Sequence, residues 1–470
     1  MENRKSRLLP WGLLPGIWAL AWPTMLEELS QTAVQYADTA MVGALGTDAT
    51  AAVGATVTVN WLVGSTIHAL AVGFLAYIAQ ALGADRPGDA HRAAGQGVLA
   101  VLTVGAAFTA ITLGLSPFVP AWMQVDEPLR ETASRYFFIL YAPMLFRTAI
   151  IVFGTMLRAA GDARTPMRIG LAMNVLNVCL NALLIPEARQ RTVFGVSLTL
   201  PGAGLGVTGA ALASALAFAA GGILITVAFL RNPAITPKGQ KLTPQKDVLL
   251  PCLKVALPNA LQRFATSLGY VVFASLVNAL GTLATATHTV ANTVESAFYV
   301  PGYGMQTAAA TLAGRALGAK DLTKLKDLRR MLLVLEVALM VVSGGLLFVF
   351  APELIGIFSK DPAVAELGTT VLRMVAVSEP FYGVSIIIEG MLQGLGRTGF
   401  PFAVNVMGMW GVRIALTFVF TRFFGGGLVE AWGCMIGHNL LLFTVFSIHF
   451  ILTLRRWTEN GLPAGVAERK

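Results

Sequence analysis

Ala44-Leu45-Gly46-Thr47-Asp48-Ala49-Thr50-Ala51 and Ala279-Leu280-Gly281-Thr282-Leu283-Ala284-Thr285-Ala286 agree at seven of eight positions and lie 235 residues apart. The same offset, without a gap, sets Pro23 on Pro258 and Ala81-Leu82-Gly83-Ala84 on Ala316-Leu317-Gly318-Ala319. It also sets Met156-Leu157, Gly161 and Pro166 on Met391-Leu392, Gly396 and Pro401. One unit is used twice. In a strongly apolar chain, such duplication points to a transporter whose substrate lies between two related lobes.

The composition belongs to a bilayer: 55% of residues are hydrophobic, 13% are charged and the mean hydropathy is +0.68, whereas a soluble domain carries about 25% charge. The net charge of +9 is dispersed among short loops, so no nucleic-acid partner is expected. Cys179, Cys252 and Cys434 are widely separated in or beside apolar runs and read as small packing residues, with no disulfide framework or metal site. Arg4, Lys5 and Arg7 precede an apolar run that continues from Leu8 to Gly43 without a small-residue cleavage site. That run is expected to be retained as the first span.

Apolar stretches bounded by charged or Gly/Pro-rich breaks fall near 12–43, 51–82, 94–119, 133–158, 167–186, 205–230, 250–280, 286–314, 331–351, 366–394, 401–424 and 428–454. Unpaired backbone is costly in lipid, so each is a helix. The expected fold is an all-α membrane protein of twelve transmembrane helices in two six-helix bundles. Six spans per half is an even number, so the repeat is parallel, a pseudo-twofold about the membrane normal. The expected domains are an N-lobe over 1–230, a cytoplasmic linker over 231–249 and a C-lobe with its tail over 250–470.

Arg4, Lys5, Arg7, Arg86, Arg92, Arg158, Arg164, Arg168, the segments 231–254 and 315–330, Arg397 and the tail from Arg455 share one side. The opposite loops carry Arg130, Arg135, Arg189, Arg191, Lys360 and Arg422. The positive-inside rule makes both termini cytoplasmic.

Ionisable residues within spans each cost roughly 3 kcal/mol if they face lipid, so they must face a cavity, a partner or the interface. Asp38 lies deep in the first span, and its repeat partner is Phe273. The asymmetry makes one lobe chemically special, and a carboxylate in a partly dry cavity is suited to load a proton on one side and release it on the other. Glu295 aligns with Asn60, Glu389 abuts the repeated Gly390-Met391-Leu392 segment, and Glu379 lies in the same tenth span; these three are the C-lobe candidates. Glu336 is close to Arg329 and reads as an interfacial ion pair. Pro23 and Pro258 each remove one helical hydrogen bond and are the candidate hinges.

Pro23-Thr24-Met25-Leu26 followed by Ala37-Asp38-Thr39-Ala40-Met41-Val42-Gly43 resembles the opening signature of the MATE (multidrug and toxic compound extrusion) family. So do Leu157-Arg158-Ala159-Ala160-Gly161-Asp162-Ala163-Arg164-Thr165-Pro166, its echo Leu392-Gln393-Gly394-Leu395-Gly396-Arg397-Thr398-Gly399-Phe400-Pro401, and Gly209-Ala210-Ala211-Leu212-Ala213-Ser214. The resemblance covers essentially the whole chain and is nearest the prokaryotic DinF-like branch. It implies a secondary antiporter of the cell inner membrane that exports organic, often cationic, compounds against entering H⁺ or Na⁺, without a further cofactor. The implied N-lobe coupling site comprises Asp38, Gln31, Tyr136, Asn177, Asn181 and Ser214. Asn181 stands where the family often has Asp, which leaves Na⁺ one anionic ligand short and favours H⁺. Some branches carry a seventh-span acid where this chain has Thr266. The expected partners are a small organic substrate and membrane lipid, with the protein monomeric.

A lipid-linked oligosaccharide flippase of the same superfamily is the alternative, kept in view by Arg147, Arg263 and Arg413. A membrane-embedded enzyme ranks lower, because the chain lacks a His/Glu metal spacing, a nucleophile elbow and a phosphate-binding Gly-Lys-Ser/Thr loop. The missing nucleotide loop also argues against direct drive by ATP.

Overall fold

The computed structural model of the chain describes residues 9–193 and 196–468. The basic residues Arg4, Lys5, Arg7, Arg469 and Lys470 used for the orientation lie outside the described residues. The first half comprises α1 (Leu14–Gly43), α2 (Thr47–Gly83), α3 (Pro87–Leu115), the short α4 (Val119–Trp122), α5 (Glu127–Tyr141), α6 (Met144–Ala159), α7 (Arg164–Leu184) and α8 (Gly206–Arg231). The second half comprises α9 (Lys246–Asn278), α10 (Thr282–Gly318), α11 (Leu322–Val349), the short α12 (Ala351–Phe358), α13 (Pro362–Gly394), α14 (Gly399–Met407), α15 (Ala415–Phe423) and α16 (Leu428–Asn460).

Among the described residues nine helices are long and apolar enough to cross a membrane, and α5 with α6 makes a tenth as one span bent by 46°. Helices α1 and α10, of 30 and 37 residues, complete the twelve. Both carry in-span polar residues that lower their hydropathy.

The offset of 235 recurs in the helix boundaries. α2 and α10 match at both ends, α1 and α9 end at the matched Gly43 and Asn278, and α7 and α14 begin at the matched Arg164 and Gly399. Backbone conformation repeats as well: Gly46 and Gly281 are left-handed at φ 114° and 106°, and Gly161 and Gly396 at 93° and 70°. Glycine adopts such angles without a Cβ penalty, which explains why it stands at both ends of the repeat motif. Even Asp85 and Lys320, which do pay that penalty, share a φ of 55° and 56°.

Two features break the repeat. Pro143 interrupts α5 and α6, whereas the matched α13 runs unbroken. Between α7 and α8 an antiparallel hairpin joins β1 (Glu187–Val193) to β2 (Val196–Ala203), while α15 and α16 are joined by a short turn. The hairpin falls in a stretch expected to be a plain connection; its polar/apolar alternation, Val196-Ser197-Leu198-Thr199-Leu200, is the period-two signal that marks it.

The described residues divide into two compact units, one within 9–28, 75–89 and 250–468, the other within 29–74 and 90–249. In the first, α10 and α13 touch backbone to backbone: a Cβ on Gly394 would stand 1.9 Å from the Ala310 carbonyl oxygen, and one on Gly390 2.5 Å from that of Gln306. Small residues four apart on both helices allow this approach, the usual solution where lipid supplies no hydrophobic drive between helices. The end of α2 meets the end of α10 symmetrically, Gly83 against the Arg315 backbone and Gly318 against the Gln80 backbone. These four residues are two repeat-related pairs, so the contact itself has the pseudo-twofold. In the second unit the Gly- and Ala-rich α8 is central, with Gly209 against α7 and Gly222 against α6. The segment before α9 and the first turn of α9 pack on α3: Gln96 Nε2 donates to the Thr243 carbonyl at 2.9 Å, the Gln245 amide donates to Gln96 Oε1 at 3.0 Å, and Arg92 pairs with Asp247 at 2.6 Å.

The tail is clasped within the first unit. Val466 is buried, its amide donates to Gln80 Oε1, and Gln80 Nε2 donates to the Gly394 carbonyl at 2.7 Å. Glu468 accepts from Lys320 Nζ at 2.8 Å and from the Gly465 amide at 3.1 Å, and it faces Arg86 at 3.5 Å. The Lys320 hydrogen bond above all, then the Gly465 amide and the charges of Lys320 and Arg86, hold its carboxyl below the ordinary carboxylate range. A depressed value stabilises the clasp above the ordinary carboxylate value, and this contribution is lost as pH falls through the lowered one. Protection of the Gly465 and Val466 amides against hydrogen exchange, corrected for intrinsic rates, is expected to be full at neutral pH and to fall below about pH 4. Glu468→Gln should reduce it at neutral pH as well; protection that ignores both changes would show that the carboxylate does not hold the tail.

Candidate functional site

The second unit concentrates polar side chains from four helices. Asn174, Asn177 and Asn181 recur at three and four residues along α7, which places them on one face, and all three are buried. Asn181 Nδ2 donates to Asp38 Oδ1 of α1 and, at 3.2 Å, to Asn177 Oδ1. Asn177 Nδ2 donates at 3.1 Å to Ser214 Oγ of α8. One relay of hydrogen bonds thus runs from an acid on α1 through two amides to a hydroxyl. Its remaining buried acceptor, Asn181 Oδ1, has no hydrogen-bond donor among the described residues. A buried carbonyl left so costs roughly 1–3 kcal/mol.

Tyr136 of α5 is buried within electrostatic reach of Asp38, without a hydrogen bond to it among the described contacts. Gln31 is exposed and takes no part in the relay among the described residues. One position earlier on α1, Ser30 instead accepts from Asn174 Nδ2 at 2.8 Å. The i, i+3, i+7 spacing of the three asparagines is the signal that would have added Asn174. Asn60 of α2, which accepts from Arg147 Nη1 of α6, was singled out only as the repeat partner of Glu295. Pro23 and Pro258 lie inside α1 and α9, and both helices continue through them. Beyond Pro23, the Thr24 hydroxyl lies 2.7 Å from the Gly304 carbonyl of α10 in the first unit.

In the first unit, Glu295, Glu336 and Glu379 are buried on α10, α11 and α13. The expected interfacial ion pair of Glu336 is not formed: its side chain is 0% exposed and neither carboxylate oxygen has a hydrogen-bond partner among the described residues. Gly302 and Gly383 leave the space it fills, since a Cβ at either would come within 2.6 and 3.0 Å of Glu336 Oε1. Glycine on the two adjacent helices, not sequence distance to Arg329, decides where this carboxylate goes. Glu379 Oε2 is likewise unpartnered among the described residues. Glu389 differs, because Gln262 Nε2 donates to it at 2.8 Å, and Gln393 Nε2 and Asn405 Nδ2 each at 3.3 Å.

Between α14 and α15 the helix widens to a π turn over Gly408–Ile414. This turn carries the buried Arg413, whose guanidinium lies 4.2 Å from the Phe273 ring centroid and 4.9 Å from that of Tyr270. Phe273 is the repeat partner of Asp38, so an aromatic face under a cation occupies the position held by an anion in the first half. Among the described residues no three His, Cys, Asp or Glu side chains converge as metal ligands.

A duplicated, twelve-helix membrane protein with buried polar relays inside its helices is a transporter. The MatE family model matches residues 23–183 and again 258–419, one match per repeat and together more than half of the chain. The chain belongs to the MatE family: it is a multi-pass membrane transporter and not an enzyme. It is 29% identical over 436 residues to the "Probable multidrug resistance protein NorM" of Thermotoga maritima, covering 92% of this chain and 91% of that one. It is 24% identical over 428 residues to the "Probable multidrug resistance protein YoeA" of Bacillus subtilis, covering 89% and 90%. Its fold matches a crystal structure of MATE in complex with MaL6 with a TM-score of 0.86 at 21% identity, over 95% of this chain and 97% of that one. It also matches an outward-facing multidrug resistance MATE transporter of the MOP superfamily with a TM-score of 0.85 at 21% identity, over 95% and 96%.

Proposed function

We propose that this protein is a secondary active multidrug efflux antiporter of the cell inner membrane, with both termini cytoplasmic, exporting organic cations in exchange for H⁺. The names of its relatives support the export of several compounds. The observation that carries the coupling is the relay at Asp38 with its empty acceptor. With Asp38 ionised, the Asn181 amide donates to it and Asn181 Oδ1 is idle. Protonation turns Asp38 from acceptor into donor, so the amide turns over, presents Oδ1 to the new O–H and gives up its bond to Asn177. The tie between α1 and α7 is then different in the two protonation states, and Pro23 gives α1 freedom to respond. An organic cation is held by the ionised form, so entry of the proton favours its release; differential affinity is what links the two flows.

The groups around Asp38 are amides and one hydroxyl, a poor charge set for Na⁺, and H⁺ is therefore the coupling ion. Glu295 and Glu379, with Glu336, are proposed as a second proton-handling group of the C-lobe. Glu389, with three amide donors, is proposed to hold helices together. The lobes are taken as residues 1–230 and 250–470, joined by 231–249, and the transporter as a monomer in lipid.

Proteoliposomes with an imposed pH gradient, and separately an imposed Na⁺ gradient, test the reading with a panel of lipophilic cations. Uphill movement of at least one cation is expected with the pH gradient and none with Na⁺ alone. Drive by Na⁺ at uniform pH would overturn the choice of ion. Movement of a lipid-linked oligosaccharide and of no cation would favour the flippase.

A further inference from the structure

Arg147 lies on α6, within the bent α5–α6 span, and the proposed coupling does not use it. Its Nη1 donates to Asn60 Oδ1, which also receives the Tyr141 hydroxyl at 3.4 Å. Its guanidinium carbon lies 5.2 Å from the Phe218 ring centroid. All of these neighbours are neutral. No carboxylate pairs with Arg147 among the described residues, although a guanidinium within a span is costly without one. The side chain is partly accessible, and Gly64 beside its Nη2 adds no side chain to cover it, the nearest approach of a Cβ there being 3.7 Å. A planar cation held by the Asn60 amide and the Tyr141 hydroxyl, backed by a ring and left partly accessible, is arranged to take a planar anion at its remaining N–H groups. Tyr136 stands within electrostatic reach of both Arg147 and Asp38, so the cation and the anion belong to one polar interior.

We infer that Arg147 is the anion-binding half of the substrate site, and that the substrates include organic zwitterions which direct a cationic end to Asp38 and a carboxylate to Arg147. The inference rests on the proposed export of organic cations and names a class among them. It also accounts for the retention of a carboxylate-free arginine inside the membrane, since the substrate brings the counter-ion.

Rhodamine 110, a xanthene cation with a free carboxylate, and rhodamine 123, its methyl ester, differ only at the group in question. Their equilibrium binding to the purified, detergent-solubilised protein is read by fluorescence polarisation with no ion gradient present. The acid is expected to bind at least about ten-fold more tightly than the ester, the worth of a charge-assisted hydrogen bond, and the ratio should shrink at high salt. Arg147→Gln should bring the acid down to the ester and leave the ester unchanged, while Arg147→Lys should keep part of the preference. Equal binding of the two dyes, tighter binding of the ester, or no binding of the acid overturns the inference, as does an equal loss of both in Arg147→Gln. Should that variant fail to fold, the acid-to-ester ratio of the unaltered protein decides alone. Because no gradient is applied, a failure of the proton-coupling reading appears in the transport assay and leaves this ratio untouched.

Discussion

Asp38→Asn is expected to abolish uphill transport driven by a pH gradient while the protein remains folded. The two side chains are isosteric, and the substituted amide still offers an oxygen to Asn181 Nδ2, so the α1–α7 contact survives. What is lost is the exchangeable proton. One pH unit is worth about 1.36 kcal/mol, so a gradient of two units sustains a substrate ratio of about 100 for one-for-one exchange. In the variant that ratio should fall to one, and downhill exchange of labelled substrate should weaken as well, because the charge that holds the cation is lost together with the proton. Size-exclusion behaviour equal to that of the unaltered protein, with a flat accumulation trace under an acid-outside gradient, is the expected pair of measurements. Full accumulation would remove Asp38 from the coupling and direct attention to Glu295 and Glu379.

Gly394→Val is expected to have the largest effect on stability. The added Cβ would lie 1.9 Å from the Ala310 carbonyl oxygen and 2.9 Å from its Cα, so the obstacle is backbone that no rotamer can move. Overpacking a core costs about 1–3 kcal/mol where side chains can give, and here the cost should reach or exceed the top of that range. The same residue accepts the hydrogen bond from Gln80 Nε2, and Gln80 in turn holds Val466, so the tail clasp should loosen with it. Gly399→Ala is the control: nothing lies within 4 Å of a Cβ there, and a change within about 0.5 kcal/mol is expected. Heating followed by fluorescence-detected size exclusion separates the two. A Gly394→Val protein as heat-resistant as the control would mean that α10 and α13 are free to part.

The duplication was legible because it is written in local signals. Gly46 and Gly281 are glycines since both must be left-handed, and the Ala-Leu-Gly-Ala echo is retained since Gly83 and Gly318 each meet the other repeat's backbone. The chemistry was legible only in part. Asp38, Asn177, Asn181 and Ser214 come together in one relay, whereas Gln31 stays outside it and Ser30, one position away on α1, reaches the same asparagine face. A single step along a helix turns the side chain by about 100°, and spacing on one helix does not say which neighbour that rotation will face.

By itself the sequence determined that the chain is apolar enough for a bilayer, that one six-span unit occurs twice in parallel, and which ends of the helices carry the basic loops. These are properties of hydropathy, periodicity and charge counted along the chain. Only the tertiary structure decided that Asn60 and Tyr141 gather around Arg147, that Glu336 lies wholly buried in the space left by two glycines, and that a π turn lays Arg413 over Phe273. Each depends on residues far apart in sequence and on the rotation of one helix against another. Close packing sets that rotation, and it leaves no periodic trace in either helix alone.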